Sequence, residues 1–446
     1  MTENSPISTS RRTLLQGAAY SFALLAGESP SWAAPSSKPF PKGFLWGAAT
    51  AGHQVEGNNT NSDTWFMEQV QPTVFAEPSG DACNSFDLWR DDLALISQLN
   101  LNAYRFSIEW ARIEPEPGQF SVAMLDHYLR IIDACRAAGI QPLVTFNHFT
   151  APRWFAARGG WTHAEAPQLF ARYCERAARH LAGPIAYATT LNEPDLMRVL
   201  QWSGLPPAIW DIQRATLQAA ARALGVPRFV AANVAGPEDL DVMQTHLLEG
   251  HKLGRAAIKA ARSDLPVGVS LAIVDDQAVG AHSRRDEKRK QVYGAWLEAV
   301  RQDDFVGVQN YERARIDEKG TLPPPDGTPR NSMGSEIYPP SLANAVRYVH
   351  EQTGRPILVS EHGLGTADDA QRAAFIPAAL SALADTMSSG VPVLGYMHWS
   401  LIDNFEWIFG YKPRYGLYSV DRQTFKRTAK GSAQVLASIA RANAVA

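Results

Sequence analysis

The chain has 446 residues, 45% hydrophobic and 20% charged, with a net charge of −3. This is ordinary globular composition, and no Lys/Arg stripe recurs along it, which argues against a nucleic-acid or anionic-membrane partner. The length allows two or three average domains, but a single α/β barrel also runs past roughly 250 residues.

The first 34 residues read as a targeting segment. Ser10-Arg11-Arg12-Thr13-Leu14-Leu15 has the twin-arginine pattern, and an apolar run follows from Gly17 to Gly27. Ser31-Trp32-Ala33-Ala34 then offers the small residues a signal peptidase reads. The run is too short to span a bilayer as a stable helix, and no Cys beside it invites a lipid anchor. The expectation is export by the twin-arginine route to the periplasm or medium, without a membrane anchor. The alternative is a disordered tail with a chance arginine pair. The three cysteines, Cys83, Cys135 and Cys174, show no C-x-x-C spacing; the latter two lie within helical patterns as small core residues.

From residue 35 to 446 one rhythm recurs: a short apolar run rich in β-branched and aromatic residues, then a longer amphipathic stretch. The predicted strands are Phe44–Thr50, Ala103–Ile108, Gln141–Phe146, Tyr187–Leu191, Val267–Ile273, Phe305–Gln309, Ile357–Ser360 and Val393–His398. The predicted helices are Phe86–Leu99, Met124–Ala138, Ala164–Leu181, Leu247–Ala261, Arg285–Val300, Ser341–Thr353 and Asp368–Ser389. Strands alternating with helices suggest one closed parallel (β/α)8 barrel, because an open sheet would leave two edges to protect. Two stretches break the rhythm. Trp202–Val242 carries its own helix and a possible extra strand at Arg228–Asn233, and Arg313–Tyr338 is rich in Pro, Gly and charge. Both read as long loops on a barrel face.

In such barrels chemistry gathers at the C-terminal ends of the strands. Polar residues do gather there: Gln54 and Glu56, then Glu109-Trp110 after a strand that itself carries Arg105, and Asn147-His148, Asn192-Glu193, Asn310-Tyr311, Glu361-His362 and His398-Trp399. No H-E-x-x-H, G-x-S-x-G, Walker loop or G-x-G-x-x-G pattern occurs, and no cofactor is implied. Two carboxylates in a polar, aromatic-rich cleft suit glycoside hydrolysis, in which one acid gives a proton and one anion attacks or supports an oxocarbenium-like centre. Glu361 would stay ionised if Arg105 and the Tyr311 hydroxyl point at it, and Glu193 would keep its proton beside a negative Glu361.

The ordered pieces Phe44-Leu45-Trp46-Gly47-Ala48-Ala49-Thr50-Ala51, Gln54-Val55-Glu56-Gly57 and Tyr104-Arg105-Phe106-Ser107-Ile108-Glu109-Trp110 come first. Asn192-Glu193-Pro194, Asn310-Tyr311, Glu361-His362-Gly363 and the run from Trp399 to Trp407 follow. With them the chain, from Phe40 onward, resembles glycoside hydrolase family 1, the β-glucosidase family. The resemblance implies a retaining, exo-acting β-glycosidase with Glu193 as general acid/base and Glu361 as nucleophile. It further implies that Asn192 bonds the sugar 2-hydroxyl and that Gln54, His148 and Trp407 hold the 3- and 4-hydroxyls. Glu406 would accept from the 4- and 6-hydroxyls, Trp399 would be the stacking floor, and Arg105 and Tyr311 would set the ionisation of Glu361. The partner it implies is a small β-glycoside or oligosaccharide; oligomeric state stays open.

The chain departs from the family pattern in places. Ser360-Glu361-His362-Gly363 stands where the family writes Thr-Glu-Asn-Gly, Phe149 follows His148 in place of Trp, and Tyr415 replaces a Phe. The segment after the fourth strand does not align. A transglycosidase using the same residues and a non-catalytic sugar-binding protein remain as alternatives. A phospho-β-glycosidase is disfavoured, because Glu406 would repel a 6-phosphate.

Overall fold

The computed structural model describes residues 37–446; the expected export signal lies outside the described residues. Eight parallel strands close into a barrel: β1 (Leu45–Ala49), β2 (Ala103–Ser107), β3 (Gln141–Asn147), β4 (Tyr187–Asn192), β5 (Val267–Ala272), β6 (Val306–Asn310), β7 (Ile357–His362) and β8 (Val393–Trp399). Each pairs with its neighbour in chain order, and β8 closes on β1. All eight predicted strands are present, with ends shifted by one or two residues.

The strands are buried on both faces, which is why they read as nearly continuous apolar runs. Leu45, Ala103, Leu143, Phe305, Leu358 and Met397 fill the barrel interior. Their alternating neighbours, such as Trp46, Tyr104, Val144, Val269, Val308 and Val359, face the surrounding helices. Those helices are α1 (Ser85–Gln98), α2 (Val122–Ala137), α3 (Ala166–Leu181), α4 (Leu240–Ala261), α5 (Arg285–Val292), α6 (Ser341–Thr353), α7 (Asp369–Ser388) and α8 (Gly431–Ala442). The predicted helix Arg285–Val300 is interrupted at Tyr293, whose hydroxyl accepts from Val274 N at 3.2 Å, and resumes at Gly294–Ala299. Helix α4 begins seven residues earlier than its apolar stripe, and α8, which follows the eighth strand, had no counterpart among the expected elements.

The interruption after β4 carries helices Leu196–Trp202 and Pro207–Leu224. The possible strand at Arg228–Asn233 is not one. Phe229 and Ala231 are buried against Leu217 and Ala220 of that helix, and Val230 N donates a single bond to Ala156 O, with no ladder to extend. Apolar content marked burial there, not pairing. In the Pro-rich stretch, Arg313–Ile316 forms an unexpected short strand, parallel to Asp275–Ala278, that lengthens the barrel wall beyond β5 and β6. All three cysteines are buried and free. No described helix is long and apolar enough to cross a membrane.

Candidate active site

Strand alternation aims Arg105 into the barrel, since Ala103 faces inward two residues before it. Its guanidinium, 1% exposed, joins the ends of β7 and β4. Nη1 contacts Glu361 Oε1, and Nη2 donates to Asn192 Oδ1 at 2.6 Å. Tyr311, just past β6, donates its hydroxyl to Glu361 Oε2 at 2.6 Å. Asn192 also receives Gln309 Nε2 at 2.7 Å and faces His148 Nε2 at 3.2 Å. Arg105, Asn192, His148, Tyr311 and Glu361 are thus one connected network.

Both carboxylate-bearing strands lose regular register where they enter the site. On β4 the shift falls between Thr189 and Asn192, and on β7 between Val359 and His362. Such irregularities turn side chains away from strict alternation. Glu193, the next residue after β4, has φ +43° and anchors its N–H on Ser270 O at 2.7 Å. Phe149 and Trp407 also have positive φ. Apart from asparagine, only five non-glycine residues of the described chain do so, and three of them are here. Backbone strain is concentrated where side chains must be aimed. Gly363 is required by proximity: a Cβ there would lie 2.0 Å from Trp399 O.

The two carboxyls differ in their surroundings. Burial raises the Glu361 carboxyl above its ordinary value, but Arg105, Tyr311 and Gln309 all pull it back. Burial raises Glu193 well above its ordinary value, and the negative charges of Glu361 and Asp195 add to the rise. Arg105 opposes it only at a distance, and no hydrogen bond favours its anion. Glu406 is pushed up to about 8 by burial, against the hydrogen bond from Trp399. Donors thus oppose the rise at Glu361, whereas negative neighbours add to it at Glu193.

Aromatic rings build the other wall. Trp399 Nε1 donates to Glu406 Oε1 at 3.2 Å. The Trp399, His148, Trp407 and His53 rings run in a nearly parallel series, with centroids 5.8, 6.0 and 5.8 Å apart. Gln54 spends Nε2 on Asn404 Oδ1 and Phe405 O, leaving Oε1 buried and unpaired among the described residues, as is His148 Nδ1. Tyr415 packs edge-on against Tyr311 at 5.8 Å and so belongs to the wall.

Every site residue expected from the sequence lies at this end of the barrel. Two residues escaped notice. Gln309 reads as an ordinary strand position, yet it sits two before Tyr311, donates to Asn192 and lies opposite Glu361 in the sheet. Asp195 reads as the start of a short helix. It is 1% exposed, accepts from Ala272 N at 3.0 Å, and is pushed up to about 7 by burial.

The model of glycosyl hydrolase family 1 matches residues 36–227 and 299–445. A β-glucosidase of Agrobacterium sp. is 30% identical over 90% of this chain and 95% of its own length. The β-glucosidase A of Thermotoga maritima is 29% identical over 91% and 98%. Among solved structures, the β-glycosidase BGL167 superposes with a TM-score of 0.84 at 46% identity, covering 92% of this chain and 98% of that one. The Thermotoga maritima β-glucosidase in complex with cyclophellitol superposes at 0.80 with 25% identity, covering 92% and 100%. The unmatched stretch, 228–298, holds α4, β5 and α5.

Proposed function

From the premise that the chain belongs to glycosyl hydrolase family 1 and is an O-glycosyl hydrolase, we propose that it cleaves terminal β-linked sugars, β-D-glucosides foremost, with retention of anomeric configuration. The observation that carries this is the unequal treatment of two buried glutamates. Glu361 is held by a guanidinium and a phenol, whereas Glu193 sits in a negative field without a donor.

The chemistry follows from that inequality. The Glu361 carboxylate attacks the anomeric carbon while Glu193 gives its proton to the departing glycosidic oxygen. A glycosyl ester forms at Glu361, and its negative charge is gone. Glu193 then loses the largest charge holding its proton, and as a base it takes a proton from the attacking water. Hydrolysis of the ester returns the carboxylate and a sugar of the starting configuration. Asn192, fixed by Arg105 and Gln309, meets the 2-hydroxyl. The unpaired Gln54 Oε1 and His148 Nδ1, with Trp407 and Glu406, meet the remaining hydroxyls, and Trp399 lies beneath the ring. That the similar Thermotoga maritima β-glucosidase was solved in complex with cyclophellitol supports a glycosidase reading.

A panel of aryl β-glycosides tests this. The expected result is highest kcat/KM on the glucoside, with lower turnover of galactoside and fucoside, and the β-anomer as first product by proton NMR. A first-formed α-anomer overturns the retaining reading. Acceptor alcohols added to the assay separate hydrolysis from transfer.

We further infer export through the twin-arginine route, on the Arg11-Arg12 pattern and its apolar run. Replacing both arginines by lysine should keep the enzyme in the cytoplasmic fraction; unchanged export overturns the inference.

A further inference from the structure

The two register irregularities that aim the carboxylates each have a back side, outside the barrel. On β4, Thr190 and Leu191 are consecutive residues turned away from the interior. Leu191 joins the core under the helices, and Thr190 Oγ1 meets His251 Nδ1 of α4 at 2.7 Å. His251 is 2% exposed, and its Nε2 lies 3.1 Å from Asp303 Oδ2, whose other oxygen is 3.1 Å from Arg255 Nε. On β7, Ser360 and Glu361 are consecutive residues turned inward, since a Cβ on the interior Gly307 would lie 2.9 Å from Ser360 Oγ. His362 then points outward. Its Nδ1 lies 3.0 Å from Tyr396 Oη on β8, which also lies 3.2 Å from His398 Nδ1. The His362 ring stacks on Phe375 of α7 at 5.1 Å.

These contacts share a logic. A strand irregularity leaves ladder groups unpaired, so the local backbone has freedom that regular pairing would remove. A buried polar bond behind it removes that freedom, because breaking it would leave unsatisfied groups in the core. Tyr396 has one proton and two imidazole nitrogens to serve, so one of the two histidines must donate to it. Burial holds both imidazoles neutral, with His362 pushed down to about 3. The chain His362–Tyr396–His398, with a further contact from Tyr396 Oη to His362 O at 3.4 Å, thus links β7 to β8 through buried polar groups.

We propose that His251 and His362 are positioning residues that pin, from outside the barrel, the irregular strand ends carrying Glu193 and Glu361. Neither reaches the pocket. His362 replaces the Asn that the family pattern carries beside the nucleophile, and His251 lies in the stretch that the family model leaves unmatched. The inference rests on the roles assigned to the two glutamates above.

The two clasps lie behind different chemical steps, so their loss should have different signatures. Tyr396→Phe and Thr190→Val delete one hydroxyl each and keep the packing shape. Tyr396→Phe should slow covalent labelling of Glu361 by 2,4-dinitrophenyl 2-deoxy-2-fluoro-β-glucoside by roughly tenfold, the scale of a sub-ångström misplacement, and slow all substrates alike. Thr190→Val should leave that labelling within about twofold, while slowing alkyl β-glucosides, which need the acid, by roughly tenfold. His362→Asn should behave as Tyr396→Phe does.

Thermal midpoints accompany each assay, with Val349→Ala, a buried α6 residue, as the control that loses stability without changing leaving-group dependence. Equal losses on every substrate in both variants, or wild-type rates in both, overturn the inference. A wild-type enzyme that turns over glucosides yet resists labelling takes down the assignment of Glu361, and this inference with it. That result is distinct from a labelled wild type with indifferent variants, which overturns the inference alone.

Discussion

The ends of β4 and β7 bear the same side chain and are built in opposite ways. At β7, Glu361 is gripped by Arg105 and Tyr311, with Gln309 at its flank. At β4, Glu193 has no hydrogen bond to its carboxyl among the described residues, a left-handed backbone, and negative neighbours. Both sites are buried, so desolvation alone would raise both pKa values; the partners make the difference. One carboxyl is held by donors, and the other faces negative charge without any. The comparison can be broken at either end.

The largest effect should come from Glu361→Ala. Turnover should fall by on the order of 10⁴-fold or more, and added azide should restore part of it with inverted product, read by NMR. Wild-type turnover would show that the anion at β7 is not the nucleophile. Glu193→Ala should split substrates by leaving group. Alkyl glucosides should lose about 10²–10⁴-fold, and dinitrophenyl glucoside far less, because its leaving group departs without a proton. Equal losses on both would deny Glu193 the acid role.

Much of this contrast was readable before any coordinates. Asn192-Glu193 and Glu361-His362 sit where a strand pattern stops, Arg105 lies within one, and a barrel collects such residues at one face. Gln309 was hidden because a Gln inside an apolar strand carries no signal until its neighbours across the barrel are known. Asp195 was hidden because an acid at a helix start has a sufficient local explanation. The supposed strand at Arg228–Asn233 failed for a related reason: a short apolar run shows that a segment is buried, not what it pairs with. Register irregularities at β4 and β7 are likewise invisible in one strand's sequence, since they are properties of a pair.

Tyr311→Phe sharpens the contrast without abolishing it. Loss of the phenolic donor removes one of the groups that favour the Glu361 anion. Its pKa should rise, and the acid limb of kcat/KM against pH should move to higher pH. Activity at neutral pH should fall by roughly tenfold, the scale of a hydrogen bond to a charged group. An unmoved acid limb would mean that Arg105 alone sets the ionisation.

The smallest predicted effect probes the field at β4. Asp195 is itself raised to about 7 by burial, so it is largely neutral below that pH and charged above it. Its negative charge adds to the rise of the Glu193 carboxyl. Asp195→Asn keeps the acceptor for Ala272 N and removes the charge. Below pH 7 the variant should match the wild type on alkyl glucosides. Above it the variant should lose activity at lower pH, by roughly fivefold at most, the scale of one screened charge at close range. Stability should move the other way. A carboxyl whose folded pKa is raised contributes stability that is present below its unfolded value and is lost as pH rises through about 7. The asparagine variant has no such group, so from about pH 4 to 7 its thermal midpoint should fall less, or rise more, than that of the wild type, and above that the two curves should run parallel. Curves that stay parallel below that range's upper end as well would show that Asp195 is ionised in the fold throughout, and the basic limb would then owe its position to Glu361 alone.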